Sequence, residues 1–219
     1  MYVSCPADIT PMKLLSERDL IWSPVVANAN MNRERNASGI NSYEQECRCR
    51  LEDIIKGFID KKGRVSWLDL CCGQGKALIQ VAGMLAEEGL QDKALLQGID
   101  LIDPFMPAPA GITCLELSAG SVVDWIPRSK YDLITCIHGL HYVGDKLKVL
   151  QLALSALSVK GIFMAILDLN NIEIADCHSQ SYLKNMFREH NIRYNARSRM
   201  LECRGKREIN FGLRYTGAS

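Results

Sequence analysis

The residues best suited to bind a cofactor lie between positions 68 and 77, where the sequence runs Leu-Asp-Leu-Cys-Cys-Gly-Gln-Gly-Lys-Ala. An apolar segment that reads as a buried strand is followed by two closely spaced glycines and then by the start of a helix. Glycines let the backbone approach a ligand closely, and the first N–H groups of a helix are unpaired. The segment therefore predicts a site for a nucleotide-type cofactor.

Three kinds of nucleotide-binding loop compete for this segment. A Walker A loop needs a glycine where Leu70 stands and a Ser or Thr where Ala77 stands, so that pattern fails. A dinucleotide fingerprint needs Gly or Ala at its third glycine position, and Leu78 there would crowd the helix against the strand. A third pattern counts the acidic Asp69, four residues before Gly73, as part of the motif. The third pattern agrees best with the sequence.

This third pattern resembles motif I of the class I S-adenosylmethionine-dependent methyltransferases, which reads acidic-x-Gly-x-Gly-x-Gly. Asp69, Gly73 and Gly75 match it, while Cys71 stands where a first glycine is usual. The resemblance covers roughly residues 42 to 216, because the order of elements also agrees. It implies an enzyme that takes a methyl group from S-adenosylmethionine and releases S-adenosylhomocysteine.

The resemblance also implies which residues contact the cofactor. Asp100 ends the next predicted strand, where the family has a carboxylate that accepts hydrogen bonds from both ribose hydroxyls. After the third strand the family often has an Asp that contacts adenine; here Ser118, the backbone or Asp124 would have to replace it. The expected cofactor contacts are Asp69, Cys71, Gly73, Gly75, Asp100, Leu101, Ser118, Ala119 and His138.

Two histidines follow the fourth predicted strand, in the sequence Cys-Ile-His-Gly-Leu-His-Tyr at positions 136–142. Proximity and orientation carry much of the rate of methyl transfer, and a base is needed only when the nucleophile bears a proton. A neutral imidazole titrates close to neutral pH and suits that role. His141, and after it His138, are the candidate catalytic bases; the alternative is that His138 lines the cofactor and His141 packs against the next helix.

Polar residues before the first helix and after two of the strands are candidates for binding the methyl acceptor. Related enzymes often cover cofactor and substrate with an N-terminal arm. The alternatives are an ordinary solvated arm and, at the end of the fifth strand, a plain turn. The candidate acceptor contacts are Arg33, Asn36, Tyr43, Tyr142 and Asp168.

A motif that is missing from this sequence bears on the class of the methyl acceptor. Methyltransferases that act on exocyclic base amines or glutamine amides usually carry Asn/Asp-Pro-Pro-Tyr/Phe after the fourth strand, and residues 136–140 do not match it. A small-molecule acceptor is therefore expected, and nucleic acid is a less favoured partner. Residues 184–214, with nine Lys/Arg against three Asp/Glu, leave an RNA or protein methyltransferase as one alternative. A non-catalytic S-adenosylmethionine-binding protein is the other.

The elements that position these residues alternate between strand and helix, which predicts an α/β fold with a doubly wound, mostly parallel, seven-stranded sheet and a C-terminal antiparallel hairpin. Residues 1–41 are expected to form an arm or lid and residues 42–219 a single domain. Helices are predicted over residues 42–60, 75–88, 120–125, 145–158 and 178–190. Strands are predicted over residues 65–70, 94–101, 112–117, 131–137, 162–169, 193–203 and 208–216, the last two joined at residues 204–206.

Composition excludes several other classes of protein. The 219 residues are 47% hydrophobic and 23% charged, as in a globular domain, and no apolar run approaches the length of a membrane span. The N-terminus has no basic and apolar stretch typical of a secretory signal. Nine cysteines, an odd number that fall mostly in apolar runs, argue against a disulfide framework and for a reducing cytoplasm. No metal site is expected, because Cys47-x-Cys49 and Cys71-Cys72 do not provide two spaced ligand pairs.

Overall fold

The computed structural model describes residues 1–3, 19, 34–101, 105–175 and 177–218. Within these residues the α-helices are α1 (Tyr43–Cys47), α2 (Leu51–Lys62), α3 (Lys76–Glu87), α4 (Lys146–Ala156) and α5 (Ser179–Glu189). The strands are β1 (Tyr2–Val3), β2 (Val65–Leu70), β3 (Ala94–Asp100), β4 (Leu115–Ala119), β5 (Tyr131–Cys136), β6 (Leu157–Ile166), β7 (Arg193–Asn195), β8 (Met200–Arg204) and β9 (Arg214–Tyr215). None of the helices in these ranges has the length and apolar character needed to cross a membrane.

Seven strands form one sheet in the order β4-β3-β2-β5-β6-β8-β7. The pairs β4–β3, β3–β2, β2–β5 and β5–β6 are parallel, and β8 runs antiparallel to both of its neighbours. The predicted fold class is therefore confirmed. The strand order reverses between β2 and β5, and ligands of such sheets bind at the carboxyl ends of the strands beside that reversal.

The alternation of side chains along β2 explains why the core has two parts. Trp67 points to the side of the sheet covered by α2 and α3, and Leu68 and Leu70 point to the side covered by α4. Because both sides are covered, all three side chains are at most 1% exposed. A strand buried on both faces reads as a continuous apolar run, and the one acidic residue inside it, Asp69, therefore needs buried partners.

The helix predicted over residues 42–60 is divided in two. Ser42 caps α1 as expected, accepting a hydrogen bond from the backbone N–H of Gln45. Arg48 then adopts a left-handed conformation with φ 54°, and the chain changes direction before α2 begins. The apolar spacing continues across this break, so the spacing did not reveal it.

A C-terminal antiparallel hairpin exists and is formed by β7 and β8, but the predicted strand boundaries and the predicted connection at residues 204–206 were wrong. The segment expected to be one strand over residues 193–203 contains both β7 and β8, because the side chain of Asn195 accepts hydrogen bonds from the N–H groups of Arg197 and Ser198 and closes a turn. In the predicted strand over residues 208–216, β9 alone is regular, and it pairs with β1 in a separate two-stranded sheet. The helix expected over residues 120–125 is a turn, and the strand expected at 112–117 forms two to three residues later.

Of the predicted arm, residues 4–18 and 20–33 lie outside the described residues. The described parts on either side contact the main sheet domain. Tyr2 is buried and its hydroxyl donates to Asp145, and Ala37 donates its backbone N–H to the side chain of Gln80 in α3. The division into an arm and one domain stays a prediction.

Candidate active site

A buried hydrogen-bonded chain surrounds the carboxylate of Asp69, near the carboxyl end of β2. Tyr43, in α1, donates its hydroxyl to Oδ2 of Asp69 at 2.8 Å, and Thr135, in β5, donates to Oδ1 at 2.5 Å. Thr135 in turn accepts from the indole N–H of Trp67 at 2.8 Å. Burial raises the pKa of Asp69 to about 7, and the two hydroxyl donors oppose that increase. This carboxyl group is therefore poised to change its charge near neutral pH.

Thr135 is a member of the site that the sequence analysis missed. It is fully buried and lies directly opposite Asp69 in the β2–β5 register. The available signal was a single polar residue inside the apolar run at residues 133–137. The contact of Thr135 with Asp69 depends on the pairing register of β2 and β5, in which these two residues are more than sixty positions apart in the chain.

The glycine loop after β2 has the conformation that its residues predict. Gly73 and Gly75 have φ values of 59° and 74°, which other residues adopt at a cost. A Cβ on Gly75 would also lie 2.9 Å from the side chain of Leu117. The N–H of Gly73 donates to Oδ2 of Asp100 at 2.8 Å, so the carboxylate at the end of β3 holds the loop. Asp69 and Asp100, both buried, thus flank the loop on neighbouring strands.

Cys71, at the position of the usual first glycine, also has a left-handed backbone with φ 59°. Its side chain fits because residue 139, after β5, is a glycine. A Cβ added to Gly139 would lie 1.8 Å from the Cβ of Cys71 and 2.6 Å from its sulfur. A glycine at position 71 would leave room in the loop because it has no side chain. Here Gly139, which faces Cys71, leaves that room instead. The cysteine is visible in the sequence, whereas the compensating approach of Gly139 is visible only in the structure.

The two candidate histidines lie beside α1 and the loop after β5. Nε2 of His138 is buried and makes no hydrogen bond, although a carboxylate oxygen of Glu46 lies 3.3 Å away. The rings of His141 and Tyr142 are tilted by 47°, with centroids 4.0 Å apart. Burial, followed by the charges of Arg35 and His141, lowers the pKa of His138 to about 4. Burial and the charge of Lys146 also lower the pKa of His141, against the opposing charge of Asp168. Both imidazoles are therefore neutral at neutral pH, the form that can accept a proton.

Other predicted residues fall in several environments. Asp168 acts electrostatically on His141 and forms an ion pair with Arg199 at 3.2 Å, so it does lie near the histidines. The hydroxyl of Tyr43 is directed to Asp69, and the side chain of Asn36 donates to the carbonyl of Ile40. Arg33 lies outside the described residues. Contact of these residues with an acceptor stays a prediction.

Ser118 and Ala119, at the end of β4, line a cavity of about 530 Å³ together with Asp124. Its floor is the sheet surface around Gln97, and its wall is the turn that contains Trp125. Leu101 follows Asp100 and is half-buried. The connection between β4 and β5, which lines this cavity, contains no regular helix. The residues proposed to contact adenine are thus brought together at one edge of the sheet.

A short segment before α1 crosses the glycine loop and was not singled out from the sequence. Glu34 forms an ion pair with Lys76 at 2.7 Å, at the start of α3. The next residue, Arg35, acts electrostatically on His138 at the other side of the loop. Its Nε atom is buried without a hydrogen-bond partner in the structure as described. Buried unpaired donors are rare in folded proteins, so Arg35 is an additional candidate for contacting a ligand.

Three solved structures are reported as similar to this chain. An amino pentose methyltransferase of calicheamicin biosynthesis from Micromonospora echinaspora is 16% identical, with a TM-score of 0.43 over 66% of this chain and 56% of that one. The cyclase SpnF is 17% identical, with a TM-score of 0.43 over 65% of this chain and 57% of that one. The CurJ carbon methyltransferase is 12% identical, with a TM-score of 0.49 over 72% of this chain and 53% of that one. The chain thus covers little more than half the length of each.

No curated protein matches the chain. A family model described as a methyltransferase domain matches residues 43–198, which is most of the chain and includes the glycine loop, both flanking carboxylates and both histidines. The chain therefore belongs to the methyltransferase domain family.

Proposed function

We propose that this protein transfers a methyl group from S-adenosylmethionine to a small molecule. The observation that carries the proposal is the glycine loop held between two buried carboxylates. Asp100 accepts the N–H of Gly73, and Asp69 is held by Tyr43 and Thr135 at the reversal of the strand order. Burying a carboxylate costs free energy. Two buried carboxylates at the edge of the sheet where ligands bind therefore favour a binding role over a purely structural one.

Each part of this edge has a proposed contact with the cofactor. Asp100 holds the ribose hydroxyls, and the backbone of the loop from Cys71 to Gly75 contacts the methionine end. Ser118 and Ala119 contact the adenine at the end of the cavity that they line. A positively charged ligand group near Asp69 would favour the ionised carboxylate and lower its raised pKa. Cofactor binding should therefore release protons from the protein near pH 7.

In the proposed reaction, the cofactor supplies a methyl group already activated by a sulfonium. The residues of this chain then position the acceptor, exclude water and accept a proton. His138 and His141, which are neutral at neutral pH, are the proposed acceptors of that proton. Glu46 lies 3.3 Å from His138, but burial disfavours the imidazolium of His138, so His141 comes first of the two.

The charges of the C-terminal segment support a small acceptor over RNA. Arg193 pairs with Glu202, Arg199 with Asp168, and Lys206 with Glu208. Arg207 donates to the backbone carbonyls of His190, Gly205 and Lys206. These four of the nine basic side chains in residues 184–214 have partners within the protein, which leaves less positive charge for phosphates. The free thiols of the described cysteines support our proposal of a reducing, cytoplasmic location.

Calorimetric titration of S-adenosylhomocysteine into the purified protein tests the cofactor. We expect micromolar binding that Asp100→Ala weakens at least tenfold and that Asp92→Ala, at an exposed carboxylate before β3, leaves unchanged. Absence of binding, or binding of NADH instead, would refute the proposal.

Labelled S-adenosylmethionine offered with a pool of small metabolites, and separately with total RNA, tests the acceptor class. Label should appear in the metabolites. Transfer to RNA alone would contradict the small-molecule assignment, and binding without any transfer would favour a protein that only binds the cofactor. Once an acceptor is known, His138→Gln and His141→Gln separate the two candidate bases by the change in kcat.

A further inference from the structure

We propose that the methyl acceptor is a small molecule with a carboxylate group, and that Arg35 binds this carboxylate. The inference names the substrate class of the proposed function and therefore rests on it. Three features carry it: a buried arginine nitrogen without a partner, the contacts that fix the residues on either side, and the charges beside the two histidines.

Two buried side-chain nitrogens near the glycine loop lack hydrogen-bond partners in the described part of the chain. They are Nε of Arg35 and Nε2 of His138. Folded proteins pair nearly all of their buried polar groups, because a buried donor without a partner has lost its hydrogen bonds to water. An oxygen atom of a bound ligand would supply the missing partner of Arg35.

Contacts of the residues on either side fix the position of Arg35. Glu34, the preceding residue, is held by its ion pair at the start of α3. The carbonyl of Asn36, the following residue, accepts a hydrogen bond from the N–H of Tyr43 at 2.9 Å. The ring of Tyr43 lies beside that of His138, with centroids 6.5 Å apart. Arg35 thus lies between the start of α3 and the first of the two histidines.

The alternation of side chains places Arg35 on the side of His138 rather than on the side of α3. Asn36 forms a β-bridge with Ser42, a contact of extended backbone, and successive side chains of an extended backbone point to opposite sides. Glu34 points to α3, so Arg35 points away from it. After burial, the charge of Arg35 is the next largest cause of the lowered pKa of His138, which agrees with this direction.

Arg35 brings a positive charge to this place, and none of the described carboxylates forms an ion pair with it. A guanidinium is not deprotonated in proteins, so the charge is permanent. Glu34 is paired with Lys76, and Glu46 lies 3.3 Å from His138 with 34% of its side chain exposed to water. The planar guanidinium matches the two oxygens of a carboxylate. A carboxylate therefore fits this single unpaired cation.

The place of Arg35 favours the acceptor over the cofactor as the source of the carboxylate. In the proposed reaction, the backbone of the loop from Cys71 to Gly75 contacts the methionine end of the cofactor. The acceptor must instead reach the histidines, because one of them accepts its proton. Oxygens that accept hydrogen bonds from a guanidinium are weaker nucleophiles, so the methylated atom lies elsewhere in the acceptor, toward His141.

Binding of small carboxylates tests the inference, both with and without saturating S-adenosylhomocysteine. The probes are acetate and benzoate, each compared with its neutral amide, and binding is followed through the NMR signals of the His138 ring. We expect each carboxylate to bind about tenfold or more tightly than its amide. Arg35→Gln should remove this preference, and Arg35→Lys should keep part of it. The control Arg64→Gln, at an exposed arginine before β2, should leave the preference unchanged. Equal binding of acids and amides by the folded wild type would overturn the proposal.

Calorimetry with S-adenosylhomocysteine separates the two sources of a carboxylate. We expect Arg35→Gln to bind it within about twofold of the wild type, because Arg35 serves the acceptor. A loss of about tenfold or more would show that Arg35 holds the carboxylate of the cofactor, and would overturn the assignment to the acceptor. A wild type that does not bind S-adenosylhomocysteine at all contradicts the proposed function. A wild type that binds it but does not prefer carboxylates contradicts only the role of Arg35.

Steady-state kinetics with an identified acceptor gives a further readout. Arg35→Gln should raise the KM for the acceptor about tenfold or more and change kcat little, because it removes binding that the ground state and the transition state share. A lower kcat at unchanged KM would contradict the proposed role.

Discussion

Replacing Asp69 by Asn should make the unliganded protein more stable at alkaline pH but not at acidic pH. In the folded protein the pKa of Asp69 is about 7, against an ordinary value of 3.8. The native state thus binds more protons than the unfolded state between these values, so the stability of the wild type falls as the pH rises through this range. A difference of about three pH units corresponds to about 4 kcal/mol, of which about 3 kcal/mol is lost between pH 5 and pH 8.

An amide at residue 69 removes this dependence while keeping the shape of the side chain. Its oxygen can accept from Thr135, and its NH₂ group can donate to the hydroxyl of Tyr43. The assay is urea unfolding of wild type and Asp69→Asn at pH 5, 6, 7 and 8, followed by tryptophan fluorescence. Other titrating groups, including His138, are common to both proteins and cancel in the difference. A stability difference that stays constant from pH 5 to pH 8 would refute the assignment of a raised pKa to this buried carboxyl.

Three further predictions concern the surroundings of this carboxyl. Gly139→Ala should destabilise the protein by about 2 kcal/mol or more, because its Cβ would overlap Cys71, and adding Cys71→Gly should restore most of the loss in thermal unfolding; no rescue would contradict the proposed compensation. Thr135→Val should cost about 1–3 kcal/mol in urea unfolding, because it removes a hydroxyl that donates to Asp69; an unchanged midpoint would contradict the network. The ring protons of His138 should titrate by NMR with a midpoint near 4, and a midpoint above 6 would show that the imidazole is not desolvated as described.

The order of the elements could be predicted because their signals are local. The apolar runs of β2 and β5 and the helical spacing of α3 and α4 depend on neighbouring residues, and the structure agrees with them. Some errors were local, such as the breaks at Arg48 and Asn195, and one occurred where the partner is distant. Pairing of Tyr2–Val3 with Arg214–Tyr215 joins the two ends of the chain, and no pattern within either segment indicates it.

The candidate site shows the same division between local and distant information. Asp69, Gly73, Gly75 and Asp100 could be singled out from the sequence as a glycine loop with two acidic residues on neighbouring strands, and their contact with a cofactor stays a prediction. The protonation of Asp69 depended on burial and on donors from α1 and β5.

The cysteine in the place of a glycine shows most directly what tertiary structure decided. Cys71 departs from the expected motif, and the sequence by itself offers no reason why it is tolerated. The reason is the close approach of Gly139, sixty-eight residues later, which leaves room for the cysteine side chain. The spacing of residues in the sequence determined which of them form the glycine loop. Packing between segments distant in the chain determined their conformation, their charge and the space around them.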